Sequence, residues 1–426
     1  MTEVLENVDQ RMRAALGDDA VYAVEEGRAP GALPAPAVVV APASAEQVAE
    51  TLRVAADAGV GVIPVGGDTA PRQGRREDLP CVALSLERMS DVVEHAVEDL
   101  VLTAQAGLVL TEAQAAVTAH GHRIPLAPPF ASRATLGGII ACAADGPTRD
   151  AYGAVRDQVL GVQIVHGDGR ISRAGGRVVK NVTGYDLCRL YTGSRGVLGI
   201  ITELTLRLRP MEPSACMLAW RFPRIEDAWE AGMTLRRDLP ALYGLHAARG
   251  TLTEGMQGDG AALLATLRGP EAFVEAVGES CWEHDLGATS REVLAPDAVP
   301  GIAGPASTRD AWLRVCVLPA DGGRLLEALA RRIGDGADLV LDVLSGACDV
   351  THEDPGFLDP VDETALGADL EPIGAQVDRP GDPEFHLRRL HLFPSTRPGG
   401  TAVMQGLMRA LDPASVINPG RYEVAP

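Results

Sequence analysis

The chain has 426 residues, room for two or three domains around a large core. Apolar residues make up 46% and charged residues 23%, an ordinary globular balance, and the net charge of −20 argues against a general nucleic-acid or anionic-membrane surface. The seven cysteines are scattered without a C-x-x-C pair, which disfavours a zinc ribbon or an internal iron–sulfur cluster and fits buried free thiols in a reducing compartment.

The N-terminal stretch MTEVLENVDQRMRAAL lacks the apolar run of a signal peptide. No stretch reaches the roughly 18 apolar residues of a membrane span. A cytoplasmic location without direct membrane insertion is expected, any membrane association coming through a partner. Residues 1–34 read as a helical lead-in. A short β-branched strand follows at Ala37–Val40, then a helix from the capping box Ser44/Gln47 to Gly59, then a strand over Val60–Val65 that breaks at Gly66-Gly67. Strands are expected at Cys81–Leu86, Val101–Ala106, Val159–Val165 and Ile200–Leu208, with a helix over Thr111–His120. After residue 213 strand-like and helical segments alternate, which suits a second α+β domain on an antiparallel sheet. The acidic, Pro- and Gly-rich stretch 346–384 reads as a long loop or ordered insertion, and a last helix covers about Gly399–Leu411.

Three segments carry chemistry. The first, Pro64-Val65-Gly66-Gly67-Asp68-Thr69, ends a strand in a glycine turn whose amides can approach an anion closely; alone, it also reads as a plain turn. The second, Thr135-Leu136-Gly137-Gly138 with Ala141, Ala143, Ala144 and Gly146, is small enough to lie against a large planar or phosphorylated ligand, or to pack helices tightly. The third runs GGRVVKNVTGYDL, then GSRGVLGIITE, and mixes glycines with fixed donors as a ligand pocket does. Lys180 within it is the only lysine of the chain, the other 37 basic residues being arginine. A position that keeps lysine in so arginine-rich a chain points to a need for a compact ammonium, chance survival being the other reading.

In order and spacing these segments, with Tyr152-Gly153-Ala154-Val155-Arg156-Asp157-Gln158-Val159-Leu160-Gly161, resemble the FAD-binding domain of the vanillyl-alcohol oxidase (PCMH) type. The GGRVVKNVTGYDL segment and the C-terminal Asp412-Pro413…Asn418-Pro419-Gly420-Arg421 resemble the small FAD-binding subunits of bacterial glycolate oxidases. The resemblance implies an α+β fold: a two-subdomain FAD-binding domain over 35–212, an α+β cap over 213–395, and a C-terminal helix and tail over 396–426 returning to the first domain. It implies non-covalent FAD, with Gly66, Gly67, Asp68, Thr69, Thr135, Gly137, Gly138 and Ala141 near the pyrophosphate and Gly199, Ile200 and Ile201 near the adenine. Tyr152 and Arg156 join the cofactor set through their motif. Lys180 and Thr183 fall in the segment that approaches flavin and substrate in related dehydrogenases, with a charged loop cap as the other reading of Lys180. The implied role is oxidation of a small 2-hydroxy acid, within a complex holding a larger catalytic flavoprotein subunit and an iron–sulfur subunit. A non-catalytic accessory or structural subunit with weakened FAD binding is the alternative.

Two departures stand out. The third glycine of the phosphate loop is Asp68, and a carboxylate there repels a pyrophosphate unless it points away. The metal-binding H-x-G-D-G-N-x-H motif of the related catalytic dehydrogenases is missing. His386 and His391 are five apart and His120 and His122 flank a turn, so no metal site is expected at either pair.

Overall fold

The computed structural model describes residues 2–24, 37–69, 79–176, 186–239, 242–257, 260–296, 311–334, 336–354, 356–358, 363–378 and 400–420. The order begins α1 (Thr2–Leu16), β1 (Val21–Val24), β2 (Ala37–Val40), α2 (Ala45–Ala58), β3 (Gly61–Val65) and β4 (Cys81–Ser85). Next come β5 (Val92–Ala96), β6 (Val101–Gln105), α3 (Leu110–Thr118), β7 (His122–Arg123), α4 (Leu136–Cys142), α5 (Arg149–Tyr152) and α6 (Val155–Gln158). Then β8 (Val159–Val165), β9 (Ile171–Gly175), α7 (Leu187–Tyr191), β10 (Ile200–Arg207) and β11 (Arg209–Pro210) close the first half. The second half holds β12 (Ser214–Phe222), α8 (Ile225–Asp238), β13 (Gly244–Arg249), β14 (Ala261–Gly269), α9 (Glu271–Glu283), β15 (Ser290–Leu294) and β16 (Ala311–Cys316). It ends with α10 (Gly322–Ile333), β17 (Asp338–Asp342), β18 (Ala347–His352), α11 (Glu363–Leu370), β19 (Gln376–Asp378) and α12 (Gly400–Leu411).

Two sheets build the first half. The four-stranded sheet has the order β1-β2-β4-β3, with β4 parallel to both β2 and β3. The five-stranded sheet β5-β6-β10-β8-β9 is antiparallel. Val62, Val82 and Leu84 of one sheet share a core with Leu102, Ile164 and Leu204 of the other. The α2 helix starts as its capping residues dictate: the Ser44 hydroxyl accepts from the Gln47 amide at 3.3 Å, and the Gln47 side chain accepts from the Ala43 amide at 2.7 Å. It ends at Gly59, whose φ of 65° lies in the left-handed region. The expected helical lead-in gains a strand: β1 pairs antiparallel with β2, Val21 opposite Val40.

The second half is one antiparallel sheet in the order β15-β12-β14-β13-β17-β18-β16-β19. One face carries Leu218, Trp220, Leu263 and Leu341, packed with α8, α9 and α10 through Leu235, Cys281 and Leu329. The opposite face carries Met217, Ala219, Leu264 and Val340, beside the polar Arg221, His246, Arg314 and Asp349. The stretch expected as a loop or insertion from residue 346 supplies β18, which sits inside the sheet between β17 and β16. Its acidic residue Asp349 is the reason it did not read as a strand. That carboxylate is held by Arg314 at 2.6 and 2.7 Å and by the Trp312 indole N–H at 2.8 Å.

Candidate functional site

A cavity opens where the C-terminal end of β3 meets the start of β10. Its wall brings together Gly66, Gly67, Asp68 and Thr69 with Thr135, Gly137, Gly138 and Ala141, and these with Gly199, Ile200 and Ile201. Leu86, Cys142, Arg195 and Gly196 also line it. Segments more than a hundred residues apart thus face one space. Lys180 and Thr183 lie outside the described residues, as do His386 and His391.

Close packing requires glycine at positions 66 and 67. A Cβ on Gly66 would lie 2.2 Å from the Thr135 hydroxyl oxygen, and one on Gly67 would lie 1.7 Å from the Arg133 carbonyl oxygen. The loop is therefore pressed against the start of α4, where Thr135 caps the helix by accepting from the Gly138 amide at 3.3 Å. Among the described residues, neither the Gly66 nor the Gly67 amide donates to a chain acceptor. Two N–H groups on a cavity wall without Cβ atoms are suited to an anion. Arg195 is the cationic residue of the wall. It stands in the GSRG turn, and a lone arginine among glycines was the available signal for it in the sequence.

Asp68 has a φ of 52°, the left-handed conformation in which glycine is the default residue and aspartate is tolerated. Replacing Asp68 by glycine removes a negative charge from the cavity wall together with this backbone penalty. FAD affinity is expected to rise by about tenfold, read by quenching of flavin fluorescence. Unchanged or weaker binding would mean that the Asp68 carboxylate supports the loop.

Tyr152 and Arg156 stand apart from this cavity. The Tyr152 hydroxyl bonds Glu212, and its ring meets the Tyr243 ring edge-on at 5.4 Å. The Arg156 side chain is exposed, 4.0 Å from Asp157. The motif that contains them has a local structural use: Gly153 turns at a φ of 90°, Asp157 accepts from the Ala154 backbone amide at 3.1 Å, and the Gln158 side-chain Nε2 donates to the Tyr152 carbonyl at 2.6 Å. His122 meets His95 at 3.1 Å between ring nitrogens, and the His120 ring lies edge-on to His95. Among the described residues no group of three His, Cys, Asp or Glu is placed to hold a metal ion.

The tail after α12 braces the cavity. The Val62 amide donates to the Val416 carbonyl at 2.7 Å, and the Asn418 amide returns to the Val62 carbonyl at 2.9 Å, so the tail runs alongside β3. The buried Asn418 side chain donates to the carbonyls of Arg195 and Gly196, both at 3.2 Å, which fixes that wall. Asp412 closes the turn before it, accepting from the Val416 and Ile417 amides at 3.0 and 2.7 Å.

The two halves meet across the polar face of the eight-stranded sheet. Arg314 reaches the Asp145 carbonyl at 3.5 Å, and Phe130 meets Trp312 edge-on at 6.2 Å. Asp150 hydrogen-bonds Asp342, a carboxylate already accepting from the Ser345 hydroxyl at 2.6 Å and the Leu344 amide at 2.9 Å. Burial, then this hydrogen bond and the charge of Asp342, push the Asp150 carboxyl from its ordinary 3.8 up to about 8. The folded chain therefore keeps a proton that the unfolded chain loses near pH 3.8. The contribution of Asp150 is full below that pH and is lost as pH rises toward about 8. Asp150→Asn is expected to flatten this part of the stability–pH profile, modestly, because Asp150 is an exposed residue whose charge solvent screens. An identical slope in wild type and variant, measured by thermal unfolding from pH 5 to 8 (approximate limits set by the shifted titration), would count against the shared proton.

Residues 36–175 match the family described as FAD binding domain. The D-lactate dehydrogenase of Archaeoglobus fulgidus is 36% identical over 202 residues, 47% of this chain and 45% of that protein. Glycolate oxidase subunit GlcE of Escherichia coli is 41% identical over 138 residues, 32% of this chain and 39% of that protein. The chain thus spans less than half the length of either of these curated relatives. The structure of p-cresol methylhydroxylase with substrate bound superposes at a TM-score of 0.76 with 17% identity, covering 99% of this chain and 97% of that one, a likeness of fold. The cavity fits the cofactor these matches name: two unused amides and an arginine suit a pyrophosphate, and the wall of glycine, alanine and isoleucine suits apolar rings. Residues 36–175 thus match the FAD binding domain family, and FAD is the cofactor.

Proposed function

We propose that this chain is the FAD-bearing subunit of an oxidoreductase complex of glycolate oxidase type, acting on a small 2-hydroxy acid such as glycolate or D-lactate. The observation that carries the reading is the cavity itself, whose wall joins Gly66 and Gly67 with the capped start of α4 and Arg195. The names of the relatives, D-lactate dehydrogenase and glycolate oxidase subunit, supply the substrate class. Bound FAD supplies a two-electron acceptor for the hydride of the hydroxyl-bearing carbon.

The residues of the chain divide the remaining work. Gly66 and Gly67 hold the phosphates by backbone donors, and Arg195 offsets their charge. Ile200, Ile201 and Ala141 exclude water from the apolar parts of the cofactor. Lys180, as a compact ammonium for the substrate carboxylate, and Thr183 are the candidates for contact with flavin and substrate, roles taken from the resemblance of their segment. No histidine stands at 68 or 69, so the flavin is held without a bond at this loop. A larger flavoprotein subunit and an iron–sulfur subunit receive the electrons, since this chain has no cysteine cluster for an iron–sulfur centre of its own.

Asp68 in the wall favours a second reading, an accessory subunit with weak FAD binding whose partner carries the oxidation. The visible spectrum of the purified chain, before and after adding FAD and then glycolate or D-lactate without oxygen, separates the two. Flavin bands that bleach with either acid support oxidation on this chain, and Lys180→Met is then expected to raise the KM for the acid at least tenfold while FAD stays bound. Bands that persist with both acids support the accessory reading. A chain that takes up no FAD at saturating cofactor refutes the proposal.

A further inference from the structure

Backbone strain gathers around the FAD cavity. Among the described residues, seven non-glycine positions have a left-handed φ. Five of the seven belong to the segments that enclose the cavity: Asp68 and Arg195 on its wall, Ala143 at the end of α4, and Ser415 and Asn418 in the tail. Such conformations persist where surrounding bonds over-determine them, and they cluster at ligand clamps. Two of the five are bonded to each other, Arg195 with a φ of 54° and Asn418 with a φ of 47°.

Arg195 is pinned on both sides of its Cα. Its amide donates to the Ala141 carbonyl at 2.7 Å, and its carbonyl accepts from the Asn418 side chain at 3.2 Å. The Gly193 amide donates to the Ile140 carbonyl at 3.0 Å, so the whole turn is seated on the C-terminal end of α4. Asn418 divides its work. Its backbone amide donates to Val62 and docks the tail on β3, while its side-chain nitrogen offers its two protons to the carbonyls of Arg195 and Gly196. The fit is close, since a Cβ on Gly196 would stand 3.0 Å from that nitrogen. Docking of the tail uses the backbone of Asn418; the cavity wall uses its buried side chain.

We infer that Asn418 is a positioning residue for the cofactor: it holds the Arg195 backbone in its left-handed conformation and so aims the arginine at the phosphates of FAD. The φ and ψ of a residue set the direction in which its side chain leaves the backbone. Without the Asn418 bonds the Arg195 carbonyl is released, and the residue relaxes toward the right-handed region that suits an L-amino acid. Its side chain then leaves the wall at another angle. This role rests on Arg195 meeting the phosphates, as proposed above, and it gives the aim of that contact to a residue 223 positions away.

A double-mutant cycle on FAD affinity tests the role, with the FAD-loaded full chain diluted and cofactor release followed by flavin fluorescence. Asn418→Gly tolerates the left-handed backbone and keeps the amide bond to Val62, but it removes both side-chain donors. It is expected to weaken FAD binding about tenfold, as is Arg195→Met. The double variant is expected to bind FAD no more weakly than Arg195→Met alone, because Asn418 then has no arginine to aim. Methionine keeps the backbone carbonyl that Asn418 holds, so a purely structural loss would persist in that background. Equal losses from Asn418→Gly with and without Arg195 therefore overturn the inference. So does wild-type affinity in Asn418→Gly beside a weakened Arg195→Met, an outcome that leaves the phosphate contact of Arg195 standing. Wild-type affinity in Arg195→Met removes that contact and the inference with it. Should Asn418→Gly not fold, Asn418→Ser replaces it, since its single hydroxyl proton serves at most one of the two carbonyls, and the same pattern of losses is expected.

Discussion

Gly67→Ala is expected to weaken FAD binding by about a hundredfold, some 2.7 kcal/mol. The added methyl would stand 1.7 Å from the Arg133 carbonyl oxygen and 2.6 Å from its carbon. Neither neighbour is a flexible side chain that can swing away. Arg133 and Ala134 are fixed by donating to the Phe130 carbonyl, both at 2.8 Å, and the Ala134 carbonyl accepts from Leu110 at 2.9 Å. The loop must then withdraw from α4, carrying its two unused amides out of place. Gly66→Ala is expected to do less, because its methyl meets the Thr135 hydroxyl, which can rotate at the loss of one helix cap. Titration of the apo chain with FAD reads both variants, and wild-type affinity in Gly67→Ala would remove the phosphate-loop assignment.

The second large effect is one of stability. Trp220 is 2% exposed and packs in the core between the eight-stranded sheet and its helices, its ring 4.8 Å from that of Trp282. Trp220→Ala leaves a cavity that the surrounding leucines fill only in part, and about 3–5 kcal/mol of stability is expected to be lost. The loss should appear as a lower midpoint in denaturant. FAD affinity at low temperature should hardly change, because the cavity is built on a different core, that of Val62, Leu136 and Ile200. Gly67→Ala and Trp220→Ala thus move the two readouts separately. A Trp220→Ala protein with the wild-type midpoint would mean that the sheet contributes little to the cooperative unfolding of the chain.

Burial also acts on single ionisable groups. The Asp412 carboxyl is pushed up from its ordinary value by burial, against the pull of the Ile417 and Val416 amides. Those amides keep the turn closed, so the tail that braces the Arg195 wall rests on a carboxylate held in spite of its surroundings. Tail, loop and α4 form one mechanical unit around the cavity although they are far apart along the chain.

Local chemistry was written plainly in the sequence. Ser44 with Gln47 announced the start of α2 and Gly59 its end; the apolar run before Gly66 announced β3. Such signals need only neighbours a few residues away. The glycine segments at 66–69, 135–138 and 199–201 were also legible, because the absence of side chains is itself a local property, and all three line the cavity. What remained hidden depended on distant partners. β1, β5 and β9 are short edge strands with exposed positions, so no apolar alternation marked them. β18 looked like an acidic loop because Asp349 pairs with Arg314, a residue 35 positions earlier. Arg195 gave no hint that Asn418, 223 positions away, would hold its carbonyl in the cavity wall. Tyr152 lay in a motif that pointed to the cofactor, and only the tertiary structure shows the two arginines on its ring. A residue's type fixes which bonds it can make, and turns and caps find their partners nearby. A buried charge or hydroxyl finds its partner only when the sheets close, so the sequence determined the glycine turn after β3 while the packing of the two halves decided which polar groups meet.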